Sequence, residues 1–170
     1  MKTFKLKLGF AIVAVALALG FTSCSKDEDS DTTAPKNIVQ VAQSDDQFSI
    51  LVAAFEKAGL ASTLSGTGPF TVFAPINDAF NDLFATLGVS GIADLTAEQL
   101  TPILLYHVVS GNVLASQVTS GTVPTLKEGS SINIMASSMG VKLNNTSNVI
   151  ATDVQGANGV IHAIDAVILP

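Results

Sequence analysis

From Val113 onward the hydrophobic period of this chain changes, and that switch limits the folds open to it. Between Phe48 and Tyr106 apolar residues recur at helical three-four spacing around one compact β-type run at Phe70 to Phe73, whereas beyond Val113 they form short β-prone runs. Ser44-Asp45-Asp46 followed by Phe48, Leu51, Val52, Phe55 and Ala58, with Gly59 at the stop, predicts a helix with acids in its first turn. Leu60 and Leu64 predict a second short turn before the Ser65-Gly66-Thr67-Gly68 break. Phe70 to Phe73 reads as a strand ended by Pro75, and Asn77 is placed to cap a helix carrying Phe80, Leu83 and Phe84. Thr96 with Gln99 three residues on fits a capping box. Thr101-Pro102 then predicts a helix restart, because proline is favoured at the first helical position.

The second half reads as strands: Val123–Leu126, Ile132–Ile134, Val141–Leu143, Val149–Thr152 and Val160–Leu169. Gly129, Gly140, Asn144-Asn145 and Asn158-Gly159 separate them as turn residues, and Asn158-Gly159 is a strong hairpin signal. In the last run Val160, His162 and Ile164 share one face and Ile161, Ala163 and Asp165 the other. Apolar residues on both faces predict a strand covered on two sides, threaded through the middle of the fold. Helices first and strands later define an α+β domain, with N-terminal helices packed on a sheet formed mostly by the C-terminal half. No internal repeat divides it, and the length suits one domain.

The front of the chain carries a different message. Lys2, Lys5 and Lys7 precede an apolar stretch from Leu8 to Leu19, the arrangement of a secretory signal. That stretch is short of the roughly 20 residues that span a bilayer. Phe21-Thr22-Ser23-Cys24 resembles a bacterial lipobox, with Phe in place of the commoner Leu, which implies lipidation of Cys24. Cys24 is the single cysteine, so no disulfide forms within the chain. Removal of residues 1–23 leaves five Lys against 14 acids, a net charge of −9, with no Arg anywhere. This balance argues against nucleic acid as a partner. Residues 24–36 read as an acidic, flexible tether. Within it, Lys26-Asp27-Glu28-Asp29 resembles the surface-export signal of Bacteroidetes lipoproteins. Asp31-Thr32-Thr33 resembles the O-glycosylation triplet of that phylum.

Three segments resemble fasciclin-like domains, in the family's order and at its rough spacing. They are Gly68 to Phe80 (GPFTVFAPINDAF), Leu104-Leu105-Tyr106-His107-Val108-Val109, and Asn158 to Pro170 (NGVIHAIDAVILP). Ile76 stands where the family's first box usually has Thr. The resemblance covers residues 37–170 and implies a single non-catalytic binding or adhesion domain. In that family the Tyr–His segment has been linked to integrin recognition, which marks Leu104, Leu105, Tyr106, His107, Val108 and Val109 as an adhesive segment. The same residues suit burial at a helix-to-strand junction, so the sequence favours a structural role first.

The chemistry-bearing candidates are His107, His162, Asp153 and Asp165. No Gly-x-Ser-x-Gly elbow accompanies the many serines, and two His 55 residues apart form a poor metal signature. Gly66-x-Gly68 precedes a strand, not a helix, which removes the phosphate-cradle reading. Both imidazoles are expected to bond backbone groups, and Asp165 to bond a turn or a neighbouring cation. The expectation is therefore a lipid-anchored, exported module without catalysis or cofactor, on the outer membrane and surface-exposed. It would touch a protein or glycan partner, with weak self-association open. The alternatives are an envelope hydrolase, which needs a cleft joining His107 or His162 to Asp153 or Asp165, and a small-ligand carrier, which needs an apolar pocket of several hundred Å3 with a few polar anchors.

Overall fold

A computed structural model describes residues 35–170. The signal segment 1–23, Cys24 and the tether up to residue 34 lie outside the described residues.

The helical half begins with α1 (Ile38–Gln43), which the sequence reading missed because six residues are too few to show a period. Asn37 and Gln40 close a reciprocal capping box at its start, and Ile38, Val39 and Ala42 are buried. The acids before the next helix lie in a 3-10 turn (Asp46–Phe48), where Asp45 accepts from the Gln47 N–H, and α2 (Ser49–Lys57) follows directly. Gly59 stops it at φ 69°, and α3 (Ala61–Leu64) is the expected short turn. β1 (Phe70–Pro75) leads into α4 (Asn77–Leu87). A 3-10 turn at Ile92–Asp94 precedes α5 (Ala97–Tyr106).

At two positions the fold departs from the local signal. Asn77 is not the cap of α4, since Ile76 occupies that position without a side-chain bond. The Asn77 side chain instead accepts from the Ile50 N–H at 3.1 Å and donates to the Asp46 carbonyl at 2.8 Å. It therefore ties α4 to the start of α2, a tertiary partner that outcompetes the local one. Pro102 does not restart a helix either. Thr96 and Gln99 cap one helix that runs through it, with Leu100 and Leu104 buried along its length. Burial of those two leucines, about 1.5–3 kcal/mol each, offsets the roughly 3 kcal/mol that an interior proline costs.

The strands β2 (Val108–Ser110), β3 (Gly121–Pro124), β4 (Ser131–Ser137), β5 (Gly140–Leu143), β6 (Ser147–Gly156) and β7 (Gly159–Ile164) join β1 in one sheet. Its order is β2-β1-β7-β6-β5-β4-β3. The last strand does run inside the sheet, parallel to β1 and antiparallel to β6, and all six of its residues are buried. Ile161 and Ala163 enter the helical core with Phe48, Leu51, Phe80 and Leu104, while Ile164 enters a second core with Phe73, Tyr106, Ile132 and Leu143. The two ends of the sheet touch, because Val109 bridges Thr125 and the Leu126 N–H reaches the Val108 carbonyl at 2.7 Å. The sheet is thus curled into a wedge, close to a barrel.

The β6–β7 hairpin turns one residue earlier than expected, at Ala157-Asn158, and neither Asn158 nor Gly159 takes a positive φ. Glycine is required at 159 for a different reason: a Cβ there would lie 2.0 Å from the Phe70 carbonyl oxygen. Gly68 approaches the Asn158 carbonyl just as closely. β7 also ends at Ile164, short of the predicted Leu169, because Asp165 turns the chain by bonding back to Asn148.

Candidate functional site

Two boxes of the sequence, at the end of α5 and along β7, bring both histidines against β1. His107 caps the C-terminus of α5 and is 1% exposed. Its Nε2 accepts from the Ile168 N–H at 3.1 Å, so Nδ1 carries the proton and donates to the Ile103 carbonyl at 2.7 Å. The backbone carbonyl of His107 accepts from the Phe73 N–H at 2.9 Å. One residue therefore fastens α5, β1 and the C-terminal segment together. Burial disfavours the charged ring and lowers its pKa from the ordinary 6.5 to about 4, against a smaller upward pull from the Ile103 carbonyl.

His162 uses the opposite tautomer. Its Nδ1 accepts from the Asp153 N–H at 3.3 Å, which leaves Nε2–H to donate to the Val113 carbonyl at 2.8 Å. Its ring stacks on Phe73, with centroids 5.7 Å apart. Both imidazoles are thus spent on backbone groups, as the sequence reading expected. The Asp153 carboxylate faces the Ala115 N–H at 2.8 Å, not the His162 ring. Asp153 sits at φ 60°, beside register shifts in the β6–β7 ladder. The Asp165 carboxylate bonds a turn: it accepts from the Asn148 N–H at 2.7 Å and the Asn148 amide at 2.6 Å, with the Ser147 hydroxyl at 3.4 Å. Desolvation raises its pKa, but these hydrogen bonds together outweigh that and hold the carboxyl below its usual value.

The segment expected to be adhesive is built into the interior. Leu104, Tyr106, His107, Val108 and Val109 are buried, and Leu105 alone reaches the surface, half-buried. Tyr106 donates its hydroxyl proton to the Ser131 carbonyl at 3.0 Å and accepts from the Asn144 amide at 2.8 Å, bracing α5 against β4 and the β5–β6 turn. Any contact made by this segment must run through Leu105 or follow an opening of the core.

Asn158 is the residue that sequence reasoning undervalued. Its carbonyl side-chain oxygen accepts from the Ile38 N–H at 2.9 Å, and its amide donates to the Leu64 and Gly66 carbonyls at 2.7 and 2.8 Å. Its backbone carbonyl accepts from the Phe70 N–H at 3.0 Å. Thr71 was passed over as well, although its fully buried hydroxyl donates to the Gly111 carbonyl and accepts from the Val113 N–H. The Asn-Gly signal identified a turn, and nothing local could show that the asparagine also ties the start of α1 and the end of α3 to the sheet.

The clefts required by the two alternatives are not formed among the described residues. No imidazole meets a carboxylate, and no group of three or more His, Cys, Asp or Glu could hold a metal. Apolar voids in the two cores hold about 10 Å3 each, room for a single water at most. The larger concavities, of about 430 and 470 Å3, are open surface grooves of mixed polarity. No helix among the described residues is long and apolar enough to cross a membrane.

Helices over a curled seven-stranded sheet with the C-terminal strand at its heart define a class of module. Residues 46–170 match the fasciclin domain, and this chain belongs to that family. It is 42% identical over 163 residues to Protein sll1483 of Synechocystis sp., a match covering 96% of this chain and 89% of that one. It is 36% identical over 135 residues to transforming growth factor-beta-induced protein ig-h3 of Sus scrofa, covering 78% of this chain but 19% of that longer protein. Immunogenic protein MPB70 of Mycobacterium bovis is 32% identical over 184 aligned positions, covering 95% of this chain and 91% of its own. Among solved structures, a FAS1 domain pair from the insect cell adhesion molecule fasciclin I superposes with a TM-score of 0.67 at 20% identity, covering 79% of this chain and 51% of that one.

Proposed function

We propose that this chain is an exported fasciclin domain, anchored by lipid on Cys24, that holds a protein or glycan partner at the cell surface without chemistry. Family membership carries the reading, since the solved neighbour with this fold belongs to a cell adhesion molecule. The interior supports it: the titratable groups that an enzyme would need are occupied by backbone partners. A carrier would need a pocket where the cores are filled. Under this reading the Tyr106–His107 segment is scaffold, and the partner meets the outer faces of the domain. Several acyl chains on Cys24 would anchor stably where one would not. The acidic residues 24–36 would hold the domain away from the membrane.

The test is a comparison of cells expressing the full chain with cells expressing Cys24→Ala. The wild-type protein is expected in the membrane fraction, open to added protease on intact cells, and to support attachment to immobilised protein or glycan. The variant is expected in the soluble fraction, with attachment lost. Membrane retention of the variant would overturn the anchor. Turnover of a substrate that stops on replacing a folded variant's His107 or His162 would overturn the non-catalytic reading.

A further inference from the structure

Among the neighbouring strands of the sheet order, β5 and β6 share the shortest ladder. β4 and β5 pair over four residues, Ile134↔Leu143 to Ser137↔Gly140, but β5 pairs with β6 at only two, Lys142↔Asn148 and Leu143↔Ser147. β6 continues to Gly156 along β7, so between Val149 and Thr152 its backbone pairs with β7 alone, at Val149 and Ala151. Among the described residues no other backbone hydrogen bond reaches that stretch. A groove of about 430 Å3 lies where that pairing ends, lined by Met135, Met139, Gly140 and Lys142 on one side and by Asn145, Asn148 and Val149 on the other.

At this groove, or next to its lining residue Val149, stand three of the five large apolar side chains left in solvent among the described residues: Met139 is 97% exposed, Ile150 52% and Met135 46%. Methionine and isoleucine flanking unpaired main-chain groups are what a sheet offers to an incoming strand. The charge pattern narrows the occupant. From Ser131 to Thr152 the single charged residue is Lys142, whereas the helical flank carries Asp45, Asp46, Asp78 and Asp82. Lys57 and Lys127, by contrast, are committed to internal partners, the Ile92 and Ala93 carbonyls and the Ser130 hydroxyl.

We infer that the β5–β6 seam is a docking site for an extended segment of another protein, which adds a strand beside Val149–Thr152 and sets a carboxylate against Lys142. A glycan would satisfy polar groups but not a strand-spaced main-chain edge, and a second copy pairing through the same edge would bring no carboxylate to Lys142, since none lies between Ser131 and Thr152. The inference rests on the binding-module reading, but its test involves neither export nor attachment, so the two can fail separately.

The full-length protein is titrated with an eight-residue strand-forming peptide alternating valine and aspartate, and with its counterpart carrying lysine for aspartate. Amide hydrogen exchange is followed residue by residue. The acidic peptide is expected to slow exchange at least tenfold within Val149–Thr152 and Gly140–Lys142, leaving Val160–Ile164 unchanged. The lysine peptide should bind at least tenfold more weakly, and Lys142→Glu should reverse that order. Absence of protection with either peptide would overturn the docking site. Equal binding of both peptides, unaltered by Lys142→Glu, would overturn the acidic partner. Seam protection that rises with protein concentration alone would replace the foreign strand by a second copy.

Discussion

Two seams of the same sheet behave in opposite ways. Between β1 and β7 six consecutive residues pair, from Phe70↔Gly159 to Pro75↔Ile164, and every residue of β7 is buried. Between β5 and β6 two residues pair, and neighbouring side chains are left in solvent. Strand propensity does not distinguish them, since Val141 to Leu143 and Val149 to Thr152 are as β-prone as Val160 to Ile164. Cover does. Helical residues pack on one face of β7 and the curled sheet closes over the other, so any loosening there exposes apolar surface on both sides. At the β5–β6 seam one face is already wet, and splaying costs few apolar contacts. Stability in this fold therefore concentrates along β1–β7, and the other seam is free to serve recognition.

The hardest blow to this contrast falls at Gly159. Gly159→Ala puts a Cβ 2.0 Å from the Phe70 carbonyl. The β1–β7 pairing must then part, with an expected loss above about 4 kcal/mol or failure to fold, read by denaturant unfolding. A stable, native-like alanine variant would show that the tight seam has slack.

The second measure uses pH. The folded pKa of His107 is about 4 and the unfolded ring titrates near the ordinary 6.5. The unfolded chain binds the extra proton between those values, so stability holds above pH 6.5 and falls as pH drops toward 4. The loss expected from this group is about 3 kcal/mol. His107→Ala should lower stability at neutral pH and flatten that slope. Asp165, held below its usual pKa, contributes in a separate window: its share is lost only as pH falls below the ordinary carboxylate range.

A smaller effect is expected at Asn158. Asn158→Ala removes three side-chain hydrogen bonds and leaves the Ile38 N–H and two carbonyls seeking water, for about 2 kcal/mol. Hydrogen exchange should report the loosening first in α1 and α3. The least effect belongs to the open seam. Met139→Ser, at a side chain almost wholly in solvent, should change stability by less than about 0.5 kcal/mol. A large loss there would erase the distinction between the two seams.

Much of the architecture could be read from residue order. The change of period near Val113 separated helices from strands, and the apolar faces of Val160 to Ile164 announced a strand buried on both sides. The backbone-bonded state of both imidazoles also followed from their apolar neighbours. The roles of Asn77, Asn158 and Pro102 did not. Each carries a strong local signal, for a cap, a turn and a helix start, and in each case a partner distant in sequence or a buried leucine face decided otherwise. The buried state of Tyr106 was left open for the same reason: an aromatic with a polar tip suits an interface or a core until its neighbours are known.

The sequence by itself determined the α+β class, the central place of the last strand and the structural use of both histidines, because these depend on which side chains must leave water. Only the tertiary structure decided which seam stays open. That outcome depends on how far β5 and β6 can pair before the curl of the sheet draws them apart, a matter of three-dimensional closure that no residue pattern encodes locally.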